Sequence, residues 1–225
     1  MITKVVSVLL GLLFYRSPVF KFTEDEVNEY ERLYSDAVRN KSGIMYASTF
    51  PKFRFIQYIA MTKPVIMHGS NHKNIEQFEL RKQTLFNGKY VEAIFGTKDG
   101  IWPLFYAVFD RSKVVGNFRN ACLKVKASQS YYFFSITSET KNKVPWTSGM
   151  VYILPQDTFK MVSHSVVSFD EWISESPLLP ITKIEVDPQD FYFIDKVATH
   201  KAEESLFISW IFYKRRIKRN VKVLS

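Results

Sequence analysis

The stretch Pro64-Val65-Ile66-Met67-His68-Gly69-Ser70 decides how this chain is read. Three apolar residues leave a proline and stop at His-Gly-Ser, the pattern of a short buried strand with a polar end. Glycine has no Cβ, so Gly69 lets another group approach the backbone closely, and a ligand is the expected visitor. His68, at the end of the strand, then faces that ligand. The plain alternative is a core histidine ahead of a turn glycine, so the surrounding chain has to decide.

A chain of 225 residues fits one domain, or one domain with an appendage. At this length about 70% of the unfolded surface is buried on folding, so no staple is required. Hydrophobic residues make up 46% and aromatic residues 16%, with 20 Phe and 12 Tyr, which supports a packed core and argues against disorder. Cys122 is the sole cysteine, which excludes an internal disulfide and a zinc site built on several thiolates. Of the four histidines (His68, His72, His164, His200), only His68 and His72 have ligand-like spacing. They would need a helix to share a face, and Gly69-Ser70-Asn71 between them opposes one, so no metal site is expected. The net charge of +9 suggests a polyanion, a membrane surface or a phosphate-bearing ligand as partner. There is no P-loop, no dinucleotide fingerprint and no internal repeat.

Outward from the deciding stretch, the chain divides into an N-terminal helical segment over 1–62, a core over 63–200 and a basic C-terminal helix over 201–225. The apolar run Val5–Tyr15 follows a single charge, Lys4, and is too short to cross a bilayer. It reads as a buried helix, with a signal peptide or membrane contact as the alternative. Thr23 and Glu26 form a helix-start signature, and Val27, Tyr30, Tyr34 and Val38 recur at helical spacing up to Asn40-Lys41-Ser42-Gly43. A second helix is expected from Ser48 or Thr49, with Pro51 in its first turn and Phe55, Ile56, Tyr58 and Ile59 inward. Beyond His-Gly-Ser, the segment with Ile75 and Phe78 reads as a short helix or turn. Asn87-Gly88 reads as a tight turn and Val91–Phe95 as a strand. Asp99 can cap a buried helix over Trp102–Asp110. Strands are expected at Ser130–Ile136, Met150–Leu154, Met161–Ser168 and Ile181–Val186. The last helix, Glu203 to Arg219, has acids first and the basic run Lys214–Arg219 last, which complements its dipole. That run reads as a solvated helix end, with nucleic-acid contact as the alternative.

Three features fall in a telling order: His68-Gly69-Ser70 after a strand, Ile94-Phe95-Gly96-Thr97 ahead of an apolar helix with Tyr106, and Glu171-Trp172-Ile173 ahead of Pro180–Val186. In that order they resemble the ADP-ribosyltransferase superfamily, in the branch of the poly(ADP-ribose) polymerases and diphtheria-type toxins. The resemblance covers roughly residues 63 to 190. It departs from the family at Phe95 or Ile94, where a tyrosine is usual, and it leaves Phe105 and Tyr106 as rivals for the stacking ring.

The resemblance implies an α+β fold of two packed, mostly antiparallel sheets around a cleft, with N-terminal helices and a C-terminal helix. It implies NAD as substrate, with Glu171 as the catalytic carboxylate and Glu175 and Glu185 as its competitors. It implies binding by His68, Gly69, Ser70, Phe95, Thr97 and Tyr106: Gly69 to the nicotinamide amide, His68 to the adenosine ribose. The implied function is transfer of ADP-ribose to a protein or nucleic-acid acceptor. The alternative is a non-catalytic module of the same fold that binds nucleic acid or an acidic partner. Transfer of an RNA 2′-phosphate onto NAD is a third reading, but the Arg and His residues it uses have no place here. The expected location is cytoplasmic, or secreted if the first apolar run is a signal peptide, and no stable membrane span is expected.

Overall fold

The computed structural model describes residues 2–85, 88–125, 129–162 and 165–223, with side chains described through Lys218 in the last helix. The chain opens with helix α1 (Ile2–Leu13) and a two-residue strand β1 (Tyr15–Arg16). Helix α2 (Glu24–Arg39) begins at a capping box. The Glu26 amide donates to the Thr23 hydroxyl at 3.2 Å and the Thr23 amide donates to the Glu26 carboxylate at 3.0 Å. Arg54 and Tyr30 also donate to Glu26, and the Arg54 bond does most to hold its pKa at about 2. The buried face of α2 is Glu26, Tyr30, Leu33 and Ala37, so Val38 lies outside it, at the surface. Helix α3 (Lys52–Thr62) starts later than expected, with Pro51 as its cap, and buries Phe55, Ile56, Tyr58 and Ile59 as the apolar spacing requires.

Among the described residues the strands form three sheets, not two, all antiparallel apart from one pairing. The largest is built on β5 (Phe118–Lys124) and β6 (Ser130–Thr137), with β1, β9 (Ser168–Phe169) and β12 (Ala198–His200) added; β12 runs parallel to β6. A second sheet has the order β3 (Arg81–Thr84), β4 (Tyr90–Gly96), β10 (Trp172–Ser174), β8 (Phe159–Met161). The third runs β11 (Thr182–Val186), β7 (Gly149–Pro155), β2 (Val65–Ser70). Strand β6 is buried on both faces, as its near-continuous apolar run requires. Tyr132, Phe134 and Ile136 enter the central core with β2, β7, α2 and α3, while Tyr131 and Phe133 enter a second cluster beneath α1 and α6 (Leu206–Val223).

Several expectations change. Helix α1 forms but buries none of its residues: Val6, Leu10 and Leu13 touch the second cluster and the rest stay outside it. The segment after Ser70 is irregular, held by a bridge between Phe78 and Leu178. Gly88 takes φ +83 in the turn after β3, while Asn87 lies outside the described residues. The single strand expected over Met161–Ser168 is replaced by β8 and β9; His164, between them, lies outside the described residues. A short helix, α5 (Ser138–Asn142), follows β6. Helix α6 starts three residues later than expected, so Glu203 and Glu204 precede it. Glu204 pairs with Arg216 and its pKa is held at about 2, chiefly by that bond. No helix among the described residues is long and apolar enough to cross a membrane.

Helix α4 (Trp102–Val108) sets the geometry of the candidate site. It lies directly on β2 and β7 at two glycines. A Cβ on Gly69 would fall 1.8 Å from the Pro103 carbonyl oxygen, and one on Gly149 would fall 1.9 Å from that of Ala107. The visitor at Gly69's Cβ position is therefore this helix and not a ligand. Asp99 accepts from the amides of Ile101 and Trp102 at 2.9 and 2.7 Å at the start of α4, and Asn71 donates to the Ala107 carbonyl at 2.6 Å at its end. Gly149→Ala must push the helix off the sheet and is expected to cost about 1–3 kcal/mol, as overpacking does. Gly43→Ala, where the nearest backbone atom is 3.5 Å away, should change stability little. Urea denaturation of both variants checks this: equal midpoints would show that α4 is not held by the Gly149 contact.

Candidate functional site

The cavity arises where two strands part. Met67 of β2 exchanges both backbone hydrogen bonds with Thr97, at 2.8 and 3.0 Å. A continued ladder would next pair Gly69 with Phe95. Backbone groups of residues two apart face the same strand edge, so Gly69 turns its N–H and C=O toward Phe95, as Met67 does toward Thr97. That pairing is not made among the described residues. Nδ1 of His68 instead donates to the Phe95 carbonyl at 2.7 Å. The peptide edge of Gly69 is left facing the gap between β2 and β4.

The gap opens into a cavity of about 700 Å³. His68, Gly69, Ser70, Phe95, Thr97, Tyr106 and Glu171 all line it. The sequence places these seven residues on four separate segments, and the fold brings them to one wall system. Glu175 and Glu185 stand elsewhere, both exposed: Glu175 lies near Lys160 at 3.9 Å and Glu185 pairs with Lys73. Of the two candidate rings, Phe105 is fully buried in the core while Tyr106 lines the cavity.

Tyr106, Thr97 and the backbone at Glu171 are fixed from behind. The Tyr106 hydroxyl donates to Asn120 Oδ1 at 2.9 Å, an oxygen that also accepts from the Trp102 indole at 2.7 Å. The Arg111 guanidinium lies over the Tyr106 ring at 5.1 Å. Burial raises the Tyr106 pKa, so it stays a neutral phenol. The Thr97 hydroxyl donates to Asp170 at 2.7 Å and accepts from the Asp99 amide at 3.1 Å, so its polar atom is engaged within the protein. Asp170 also accepts from the Trp172 indole at 3.0 Å and pairs with Lys124 at 2.8 Å. Those bonds anchor the residue directly before Glu171, which is half-buried at the start of β10.

Asp99, Asp170 and Cys122 come together beneath this wall, with ligand atoms within 4.8 Å of one another. Both carboxylates already collect donors. Asp99 takes the Tyr132 hydroxyl at 2.6 Å besides its two amides, and Asp170 takes Thr97, Trp172 and Lys124. The cluster therefore serves as a buried scaffold that joins α4, β5, β6 and the Glu171 segment.

A carbonyl can only accept, so His68 Nδ1 carries the proton and Nε2 is an acceptor in the neutral ring. Desolvation lowers the His68 pKa to about 4, against the pull of the Phe95 bond and with help from Arg111 and Arg81. Exposed Arg81, Lys82 and Arg111 bring positive charge to the lining, and Glu79 and Asp110 are its further acids. Sequence reasoning missed the three cations and Asn120. Arg81 and Lys82 sit in a strand with no apolar alternation to reveal it, and Asn120 lies in β5, which was not expected at all.

No family model, curated protein or solved structure matches this chain.

The histidine geometry has a pH consequence. His68 and His200 each take a proton only near pH 4 in the fold, against 6.5 when unperturbed, in both cases mainly through desolvation. The unfolded chain thus binds protons first, so their contribution to stability is complete above about pH 6.5 and is lost as pH falls toward 4. Melting temperature should drop across that window, and His68→Gln should shrink the drop. An unchanged slope in His68→Gln would mean that the ring is free to protonate in the fold.

Proposed function

We propose that the cavity binds NAD and that the chain transfers ADP-ribose from it to a protein or nucleic-acid acceptor, with Glu171 as the catalytic carboxylate. The observation that carries this reading is the peptide edge of Gly69, which is unpaired among the described residues and faces a cavity that His68, Tyr106 and Glu171 also line. A peptide edge offers one N–H and one C=O side by side, which complements the carbonyl and NH₂ of a carboxamide such as nicotinamide's. The Tyr106 ring offers a face to the nicotinamide, worth ~1 kcal/mol. The His68 Nε2 acceptor suits a ribose hydroxyl. Arg81, Lys82 and Arg111 suit the pyrophosphate.

The reaction breaks the bond between the ribose C1′ and the nicotinamide nitrogen. Nicotinamide leaves with the bonding electron pair, and the sugar becomes an oxocarbenium-like cation. The Glu171 carboxylate stabilises that charge and accepts from the ribose hydroxyls. The acceptor's nucleophile then bonds to C1′ and loses its proton. A carboxylate is most valuable here in the transition state, where the positive charge is greatest. Phe95 or Ile94 stands where the resembled family has a tyrosine, and this favours a second reading in which the fold binds a partner without turnover.

Glu171→Gln is expected to keep fold and NAD affinity and to lose about 10²–10³ in the rate of nicotinamide release. His68→Ala should instead weaken NAD binding, and Tyr106→Ala should do the same by removing the stacking face. Calorimetric titration and nicotinamide release, with melting temperatures as controls, separate the two effects. Equal turnover by Glu171→Gln would remove Glu171 from the mechanism. A wild-type chain that neither binds nor cleaves NAD would leave the non-catalytic reading.

A further inference from the structure

Helices α1 and α6 lie against each other on the outer face of the β5–β6 sheet, and both turn apolar side chains outward. Lys214 of α6 donates to the Gly11 carbonyl of α1 at 2.5 Å, and the Trp210 ring meets Phe14 edge-on at 5.7 Å. The protein side of α1 is served by Val6, Leu10 and Leu13, with Ser7 bonded to Tyr131. Its far side carries Ile2, Val5, Leu9 and Leu12, spaced by three and four residues along one face, and all are more than half exposed. On α6, Tyr213 and Ile217 point inward, while Phe207, Ile208 and Ile211 are exposed. A helix that is apolar all round is normally covered on all sides. Here one side is covered by the protein and the other is open.

The charge pattern names the occupant. From residue 1 to residue 23 and from residue 205 to residue 225 the chain has no Asp or Glu. The exposed cations Lys4, Arg16, Arg215 and Lys218 border the apolar faces, and among the described residues none of them has an ion pair. Arg215 and Lys218 continue the outward face of Phe207 and Ile211, at spacings of four and three. A second copy of this surface would set cations against cations. A nucleic acid would use the cations and leave the aliphatic side chains without a partner. Aliphatic and aromatic side chains edged by Lys and Arg fit the boundary between acyl chains and anionic headgroups. Twelve-residue α1 is about 18 Å long, short of the ~30 Å hydrocarbon core, so it can lie in that boundary and cannot cross it.

We infer that the outward faces of α1 and α6 together form a docking surface for an anionic lipid membrane, with both helices lying along its plane. The surface is independent of the NAD reading.

The test is co-sedimentation of the full chain with vesicles of phosphatidylcholine alone and of phosphatidylcholine with phosphatidylserine. Binding is expected to the anionic vesicles and to fall as salt rises. Arg215→Ala with Lys218→Ala should weaken it about 25-fold, since each cation near such a surface is worth about fivefold. Leu9→Ser with Phe207→Ser and Ile211→Ser should abolish insertion, read as loss of binding at high salt; these positions are exposed, and circular dichroism checks that the variant folds. Three results would overturn the inference. One is no binding to anionic vesicles. Another is binding that the apolar substitutions leave unchanged, together with equal affinity for a DNA duplex, which would assign the cations to nucleic acid. The last is a dimer, seen by light scattering, that the apolar substitutions dissolve while vesicle binding persists, which would assign the face to a second copy.

Discussion

Helix α4 can rest on β2 and β7 only because Gly69 and Gly149 carry no side chains. Everything in the candidate site follows from that contact. The helix brings Trp102 and Tyr106 to the cavity lining, and Asn120 then ties both to β5 through one oxygen. It also covers one face of Gly69 and leaves its peptide edge to the gap between β2 and β4. A side chain at either glycine would move the Tyr106 ring and the peptide edge together. The site is thus built from a contact between backbones, which is harder to perturb gradually than contact between side chains.

The cavity itself depends on an interrupted ladder. Met67 of β2 is bridged to Thr97, the residue just after β4, and the two strands diverge beyond that bridge. His68 spans the divergence with its ring, and this both gives the Phe95 carbonyl a donor and fixes which imidazole nitrogen remains an acceptor. Behind this wall the buried carboxylates of Asp99 and Asp170 join four segments that are distant in sequence. Burial raises the Asp99 pKa, so the cluster costs desolvation energy that its many donors offset. Such a network specifies one arrangement, because any shift would leave a buried acceptor unpaired.

The β5–β6 sheet carries different business on its two faces. Tyr132, Phe134 and Ile136 belong to the core on which α4 is seated, while Tyr131 and Phe133 support α1 and α6. One strand with both faces buried therefore underlies both the cavity wall and the outward apolar helices.

Much of this was legible in the residues. The Thr23–Glu26 box, the Phe55–Ile59 face, the strand ending at His68-Gly69-Ser70 and the buried helix at Trp102 follow from local bonding and apolar spacing, which act over a few residues. The choice of residues that line the cavity, and the roles assigned to them, came instead from the family resemblance. Other features had no local signal. Strand β5 has only weak alternation, the cations Arg81 and Arg111 look like any surface charge, and α1 reads as buried because its apolar run has no polar side. Sequence by itself determined where helices α1, α2, α3, α4 and α6 fall, to within a few residues, and where the polar strand end falls. Tertiary structure decided that a helix and not a ligand presses on the Cβ position of Gly69, that Tyr106 and not Phe105 reaches the cavity, and that Glu171 alone of three carboxylates lines it. The physical reason is that periodicity reports the face a residue occupies on its own element, whereas what covers that face depends on contacts between segments far apart in the chain.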